Sequence, residues 1–392
     1  MLLIGGMIIT IGSLANAFCG TYETFVGVRA LTGIGGGIIM PNAVATLTLM
    51  VPPGKARDVT LAVFASSPPV GAMIGALLAG VTLEFIHWKW LFIILACVTA
   101  TIFASLFIFL PKEHPVDKNG EIDYIGATLG LCSLALFNFA WNQAPSTGWD
   151  SVYIPASVAA AVVLFSVFLY YESKYASSPI MPLSVFAAPT FLALILVVLL
   201  IYMSVGIALW YMVAWQQLLR GWSVLQLAIG WIPYSIGASA AVGVAAWMIP
   251  RLDAQWILAV GVIAQLISCM CLATMPEHQT YWAQTFPAIV IGSVCPDFVY
   301  VAAQIIASNS VGERDQGVAG SLIGTLNLYG NSLGWGFAGT IETQMIANGR
   351  SEMQSFSAAL YFAAALAIAA LMLDVIAVRM PKDNREEGDR AD

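Results

Sequence analysis

Arg29-Ala-Leu-Thr-Gly-Ile-Gly-Gly-Gly-Ile-Ile-Met-Pro-Asn42 sets one permanently charged guanidinium, four glycines and a proline inside a long apolar segment. On insertion scales an Arg at the bilayer centre costs roughly 2.5–3.5 kcal/mol, so its presence in an apolar helix calls for a reason. Gly33 and Gly37 lie four apart on one helical face, where a neighbouring backbone can come close. Pro41 removes a link from the helix ladder, a loss membrane helices tolerate when neighbours re-satisfy the freed carbonyl. A charge, a close-packing face and a kink in one helix suit a moving, water-accessible bundle. The plainer alternative is an Arg that snorkels to the headgroups beside a packing seam, and this stretch alone does not choose between them.

Working outward, the whole chain has the same apolar character. Of 392 residues 59% are hydrophobic and only 9% are charged. Soluble domains carry about 25% charged residues, so the composition is that of an integral membrane protein. The net charge is −7; most charged residues lie outside the apolar segments, eight of them in the tail 382–392, and nothing resembles a nucleic-acid surface. Six cysteines (Cys19, Cys97, Cys132, Cys269, Cys271, Cys295) fall within or at the ends of apolar segments without metal-ligand spacing, and read as packing residues. Neither a metal nor a cofactor is expected.

Twelve segments are long enough to cross about 30 Å of hydrocarbon as helices, near 2–18, 24–50, 60–85, 90–110, 124–141, 153–171, 189–215, 226–249, 256–275, 282–306, 318–346 and 356–378. Their continuous apolar runs, rather than alternation, argue against strands. If Met1 is cytoplasmic, the inward loops carry Lys55, Arg57, Lys112, Lys118, Lys174, Arg251, Arg314, Arg379, Lys382, Arg385 and Arg390. The outward loops then carry only Lys89, Arg220 and Arg350. This positive-inside bias places both termini in the cytoplasm. Polar loops after residues 110 and 171 divide the chain into four, two and six spans. The expected organisation is an incomplete four-span bundle (1–110), two extra central spans with their loops (111–188), a six-helix bundle (189–379) and a charged tail (380–392). The third span (Ala65–Gly80) and the eleventh (Gly317–Gly339) are both Gly-rich and both follow a short charged inward loop, as corresponding helices of transporter repeats do.

At these residues the chain resembles the major facilitator superfamily, in particular its fourteen-spanner drug:proton antiporters. Arg29-Ala-Leu-Thr-Gly33 resembles the Arg-x-x-x-Gly signature of that family's fourth helix. The third span resembles the antiporter signature of the fifth, with Pro68-Pro69 where the family usually has Gly-Pro, followed by Gly71, Gly75 and Gly80. His87-Trp-Lys-Trp90 resembles the entry to helix six, and 117–126 the loop that opens the two extra central helices. Residues 33–42, 68–71 and 316–342 look most like the fungal aminotriazole-resistance and low-affinity ammonium transporter branch. The resemblance implies an all-α polytopic fold with twelve helices, corresponding to family helices 3–14 of 14. The first two family helices and the Gly-x-x-x-Asp-Arg-x-Gly-Arg loop then have no counterpart, and a truncated gene model is expected, with a naturally short chain as the alternative.

The same resemblance implies alternating access without enzymatic chemistry, and no Walker-type phosphate loop, His-Glu-x-x-His or Gly-x-Ser-x-Gly occurs in the sequence. It assigns gating or transport roles to Arg29, Gly33, Gly37, Pro41, Pro68, Pro69, Gly71 and Gly75, and expects the third span to seal against the eleventh. A proton-coupled carrier needs a titratable group inside the membrane. Asp297, beside Pro296 in the tenth span, is the candidate; the competing readings are a pair with Gln304 two turns on, or contact with cytoplasmic water. Glu342 reads as interfacial, and Asp374, within two turns of Arg379, as structural. Trp210, Trp215, Gln216, Tyr234 and Gln304 are candidates for the cavity, competing with packing or aromatic-belt roles.

The expected function is proton-coupled export of small organic compounds such as drugs, toxins or secondary metabolites. The alternatives are transport of a small inorganic or nitrogenous solute (ammonium, borate) and a truncated chain without transport activity. The expected partners are a small-molecule substrate, protons and the lipid bilayer of the plasma membrane, with the chain a monomer.

Overall fold

The computed structural model describes residues 1–51, 55–110, 123–176, 179–187, 189–312 and 315–379. The loop 111–122 and the tail 380–392, both singled out above, lie outside the described residues. Helices account for nearly all the rest, and no strand occurs among the described residues. They are α1 (Leu2–Ala17), α2 (Tyr22–Met50), α3 (Lys55–Phe85), α4 (Trp88–Phe109), α5 (Tyr124–Thr147), α6 (Tyr153–Lys174), α7 (Pro189–Ala214), α8 (Val224–Met248), α9 (Ala254–Ala273), α10 (Thr285–Ser310), α11 (Gln316–Ala347) and α12 (Glu352–Ala377). α8 is interrupted at Trp231 and α10 at Ser293, and α7 ends in a π turn over Trp215–Leu219. Ten of the twelve are long and apolar enough to cross a membrane. α1 falls short with 16 residues, and α11, 32 residues long, carries Asn327, Asn331 and Glu342 among its glycines.

Local chemistry starts these helices where the polar loops end. Thr21 with Thr24, Ser223 with Gln226 and Ser351 with Gln354 form reciprocal capping boxes that satisfy orphan amides at the heads of α2, α8 and α12. Asp123 caps α5 by accepting a hydrogen bond from Gly126 N at 2.8 Å. Gly221 (φ +67°) and Gly349 (φ +75°) turn the chain ahead of two of these caps in a conformation that side chains disfavour.

Packing divides the described chain into two compact units. The first joins α1–α4 to residues 222–239. α1 and α2 cross closely in it: a Cβ on Gly35 would lie 2.9 Å from Gly5 O and one on Gly5 2.9 Å from Gly35 O. Thr10 Oγ1 donates to Thr99 Oγ1 at 3.1 Å, tying α1 to α4. The helix that α3 packs on in this unit is the start of α8, a pairing the sequence did not suggest. Gly80 is pressed so close that a Cβ would sit 2.8 Å from Leu225 Cα, and Ser223 Oγ donates to Glu84 Oε2 at 2.9 Å.

The second unit gathers α5, α6, α7, the end of α8, and α9–α12. Its apolar core is built from α7, α9, α10, α11 and α12, with Phe191, Leu194, Ile201, Ile257, Leu258, Val299 and Ile306 among its buried side chains. α11 lies between α7 and α5, with small residues on both flanks. Towards α7, a Cβ on Gly334 would come 2.5 Å from Met203 O, and Trp335 Nε1 donates to Gly206 O at 2.8 Å. Towards α5, a Cβ on Gly336 would come 2.7 Å from the Trp141 carbonyl carbon. Beside it Asn142 Nδ2 donates to Ser332 O at 3.1 Å, Ser332 Oγ to Asn138 Oδ1 at 3.0 Å, and Trp141 stacks on Phe337 at 3.7 Å between ring centroids.

Candidate transport site

In the first unit Arg29 projects from α2 as an exposed side chain, with neither an ion-pair nor a hydrogen-bond partner among the described residues. Gly33 and Gly37, expected at a helix crossing, have open space where a Cβ would be. The crossing belongs to Gly35, which points the opposite way because two residues of an α-helix turn through about 200°. α2 runs on through Pro41, and Asn42 Nδ2 donates to Ile38 O at 2.7 Å just below it.

α3 likewise stays helical through Pro68 and Pro69. Pro68 cannot bond the carbonyl four residues back, that of Phe64, and Ser67 Oγ takes its place at 2.7 Å. Gly71 and Gly75 face open space; in this stretch close packing falls to Gly80 instead. Tyr234 is half-buried, its ring 5.2 Å from that of Trp231.

In the second unit three of the cavity candidates are held in contacts with neighbouring helices. Trp215 is fully buried, its ring 6.3 Å from that of Phe356. Gln216 is 2% exposed, with Nε2 donating to Thr285 Oγ1 at 3.4 Å. The π turn brings Arg220 back over it: Arg220 Nη1 donates to Gln216 Oε1 at 3.3 Å and Thr285 Oγ1 at 3.2 Å, and Nε to Glu277 O at 3.2 Å. Burial without a carboxylate pulls the Arg220 guanidinium down from its ordinary pKa. Gln304 does not bond Asp297; its Nε2 donates to Gly320 O at 2.9 Å, joining α10 to α11. Trp210 stays exposed, its ring 5.9 Å from that of Trp335.

Asp297 stands half-buried near the start of the second segment of α10, and its carboxylate has no bond among the described residues. The backbone beside it is held by α7, through Tyr202 Oη donating to Pro296 O at 2.9 Å. Two further carboxylates turn inward in this unit. Glu342, expected at the interface, accepts from the buried Tyr211 hydroxyl at 2.6 Å. Asp374 is fully buried with both carboxylate oxygens unpartnered, and Arg379 does not reach it. None of the three meets a Lys, Arg or His among the described residues. The sequence signal for Glu342 was Tyr211 across the bundle, and no spacing rule connects residues 131 apart.

The family model described as Major Facilitator Superfamily matches residues 1–338. The chain belongs to the major facilitator superfamily. That is a family of membrane transporters rather than enzymes, so this chain is an integral, multi-pass membrane protein. It is 32% identical over 340 residues to an uncharacterized MFS-type transporter of Schizosaccharomyces pombe, covering 85% of this chain and 64% of that one. It is 28% identical to the low affinity ammonium transporter of Saccharomyces cerevisiae (85% and 66% covered) and 27% identical to that yeast's aminotriazole resistance protein (95% and 70%). The chain thus spans about two thirds of the length of these relatives. Among solved structures, an auto-inhibited POT family peptide transporter matches with a TM-score of 0.66 at 13% identity, over 98% of this chain and 83% of that one. That likeness carries the fold and nothing of the substrate.

Proposed function

We propose that this superfamily member is a proton-coupled exporter of small organic compounds, of the fourteen-spanner antiporter type. The observation that supports it most is Asp297: a carboxylate inside a membrane helix, half-buried, with no cation beside it among the described residues. Such a group takes up and releases a proton as its access to water changes, which is the elementary step of proton coupling. In this reading residues 1–110 and 189–379 correspond to the family's two bundles, 111–188 to the extra central pair, and both termini are cytoplasmic. Arg29, exposed and without a partner among the described residues, is available for gating; Trp210 and Tyr234 remain the aromatic candidates for the substrate.

The resemblance to an aminotriazole resistance protein supports export of organic compounds, and that to an ammonium transporter favours a second reading, flux of a small nitrogenous solute. The test is loading of vesicles or cells with a fluorescent cationic dye, measured with and without a proton gradient. Gradient-dependent dye export that Asp297→Asn abolishes supports the first reading. Ammonium flux without dye export supports the second. Identical behaviour of wild type and the Arg29→Ala, Asp297→Asn double variant in both assays refutes transport by this chain.

A further inference from the structure

We infer that Asp123 and Glu172 form a proton-binding site at the base of the α5–α6 hairpin, in which two carboxyl groups, each with one buried oxygen, share one proton. The inference is independent of which solute is carried. Each carboxyl group spends one oxygen on the backbone. Asp123 Oδ1 caps α5 by accepting from Gly126 N at 2.8 Å. Glu172, half a turn from the end of α6 and 6% exposed, accepts from Met181 N through Oε2 at 3.4 Å, which draws the segment after α6 back over the hairpin. The other two oxygens, Asp123 Oδ2 and Glu172 Oε1, converge over Gly126. A Cβ there would collide with the first and lie 2.6 Å from the second, so glycine is what leaves room for them. Both oxygens are buried and without a hydrogen-bond partner.

Two ionised carboxylates cannot remain side by side in such a place, whereas an acid that donates to its neighbour satisfies both bare oxygens at once. Among the described residues the surrounding charges offer no substitute. From α6, Tyr171 stands near Asp123 and brings no positive charge, and Lys174 and Tyr175 are exposed and pair with neither carboxylate. The segment 179–182 brings no titratable side chain. On the matching end of α11 the ionisable group among the described residues is Asp315, another acid. A metal cation fits less well, since only two side-chain ligands meet and no group of three or more His, Cys, Asp or Glu is found among the described residues. Calcium takes six to eight oxygens.

The sign of the pH dependence follows. The folded chain keeps a proton that free carboxylates release near a pKa of about 4, so its contribution is complete in acid and is lost as pH rises through the pair's own titration. The pair titrates as a unit, not as two separate residues. Proton loss would set two like charges against each other and release the Met181 clip.

The experiment uses the full chain in lipid nanodiscs. Infrared spectra with isotope-labelled glutamate or aspartate are expected to show a carboxylic-acid band that persists at neutral pH and disappears in alkali. The thermal midpoint of the wild type is expected to fall over the same range. Glu172→Gln, whose amide supplies the same donor, is expected to flatten that fall. The inference is overturned if no labelled acid band survives at neutral pH, or if the midpoint of Glu172→Gln falls as the wild type's does. It is equally overturned if sodium, potassium or calcium, rather than protons, raises the midpoint. The labelled wild-type spectra decide the matter even if the variant does not fold.

Discussion

Gly334→Ala is the most direct test of the way α7 and α11 are held together. The added methyl would lie 2.5 Å from Met203 O and 2.9 Å from Met203 Cα, against an ordinary contact that begins at 3.4 Å. The atoms it meets are backbone, so no side chain can swing aside and the helices must part by about 1 Å. Overpacking of this kind costs about 1–3 kcal/mol. A gap of 0.5–1 Å forfeits about a quarter to a half of each neighbouring contact. The losses extend to Gly330 against Tyr202, to Gly206 against Asn331, and to the Trp335 Nε1–Gly206 O hydrogen bond. That bond adds about 0.5–1.5 kcal/mol, and the better helix propensity of Ala returns about 1 kcal/mol. A net loss of about 1–3 kcal/mol remains. Thermal unfolding of the purified protein, followed by the loss of its monodisperse peak on size-exclusion chromatography, should drop by several degrees. Gly33→Ala is the control: it adds the same methyl to a helix but into open space, so its midpoint should hold or rise. If the two variants unfold together, close approach at Gly334 is not what fixes α11 on α7.

Tyr211→Phe should lower stability by about 1–3 kcal/mol in the same assay by leaving the Glu342 carboxylate unsatisfied, and an unchanged midpoint would mean the 2.6 Å bond is not made. Trp215→Ala should cost about 3–5 kcal/mol because its ring fills the core beside Phe356; altered substrate preference with intact stability would return it to the cavity. Arg29→Ala should leave the midpoint within about 0.5 kcal/mol of wild type, so any loss of flux in that variant reports on transport and not on folding.

The helices were legible in the sequence because continuous apolar runs between polar loops have no other use at this composition. All twelve segments are helical, and residues such as Thr21, Ser223 and Ser351 mark their heads. What could not be read is which way each helix faces. In water an amphipathic stripe reports burial, but a membrane helix is apolar all round, so the stripe is missing. Gly33, Gly37, Gly71 and Gly75 therefore looked as suitable for close packing as Gly35 and Gly80, which in fact do it. Trp215 and Gln216 looked like cavity residues because the π turn that rotates them into the core leaves no mark in the sequence. Glu342 and Asp374 were assigned by their distance from the helix ends, which says nothing about the partner across the bundle.

The bonding of α5 to α11 has a consequence for how the chain is made. Asn138 and Asn142 emerge from the ribosome some 190 residues before Ser332, the group that will satisfy them. At about 5–20 residues per second that interval is roughly 10–40 s. Throughout it a helix with two amide side chains has to wait in or beside the translocation channel without its final neighbour. α6, already synthesised and packed along α5, can escort it, but only the arrival of α11 closes the polar seam. Biogenesis of this protein is therefore paced by its eleventh helix. A ribosome stalled before residue 316 would leave behind an insertion intermediate exposed to membrane quality control.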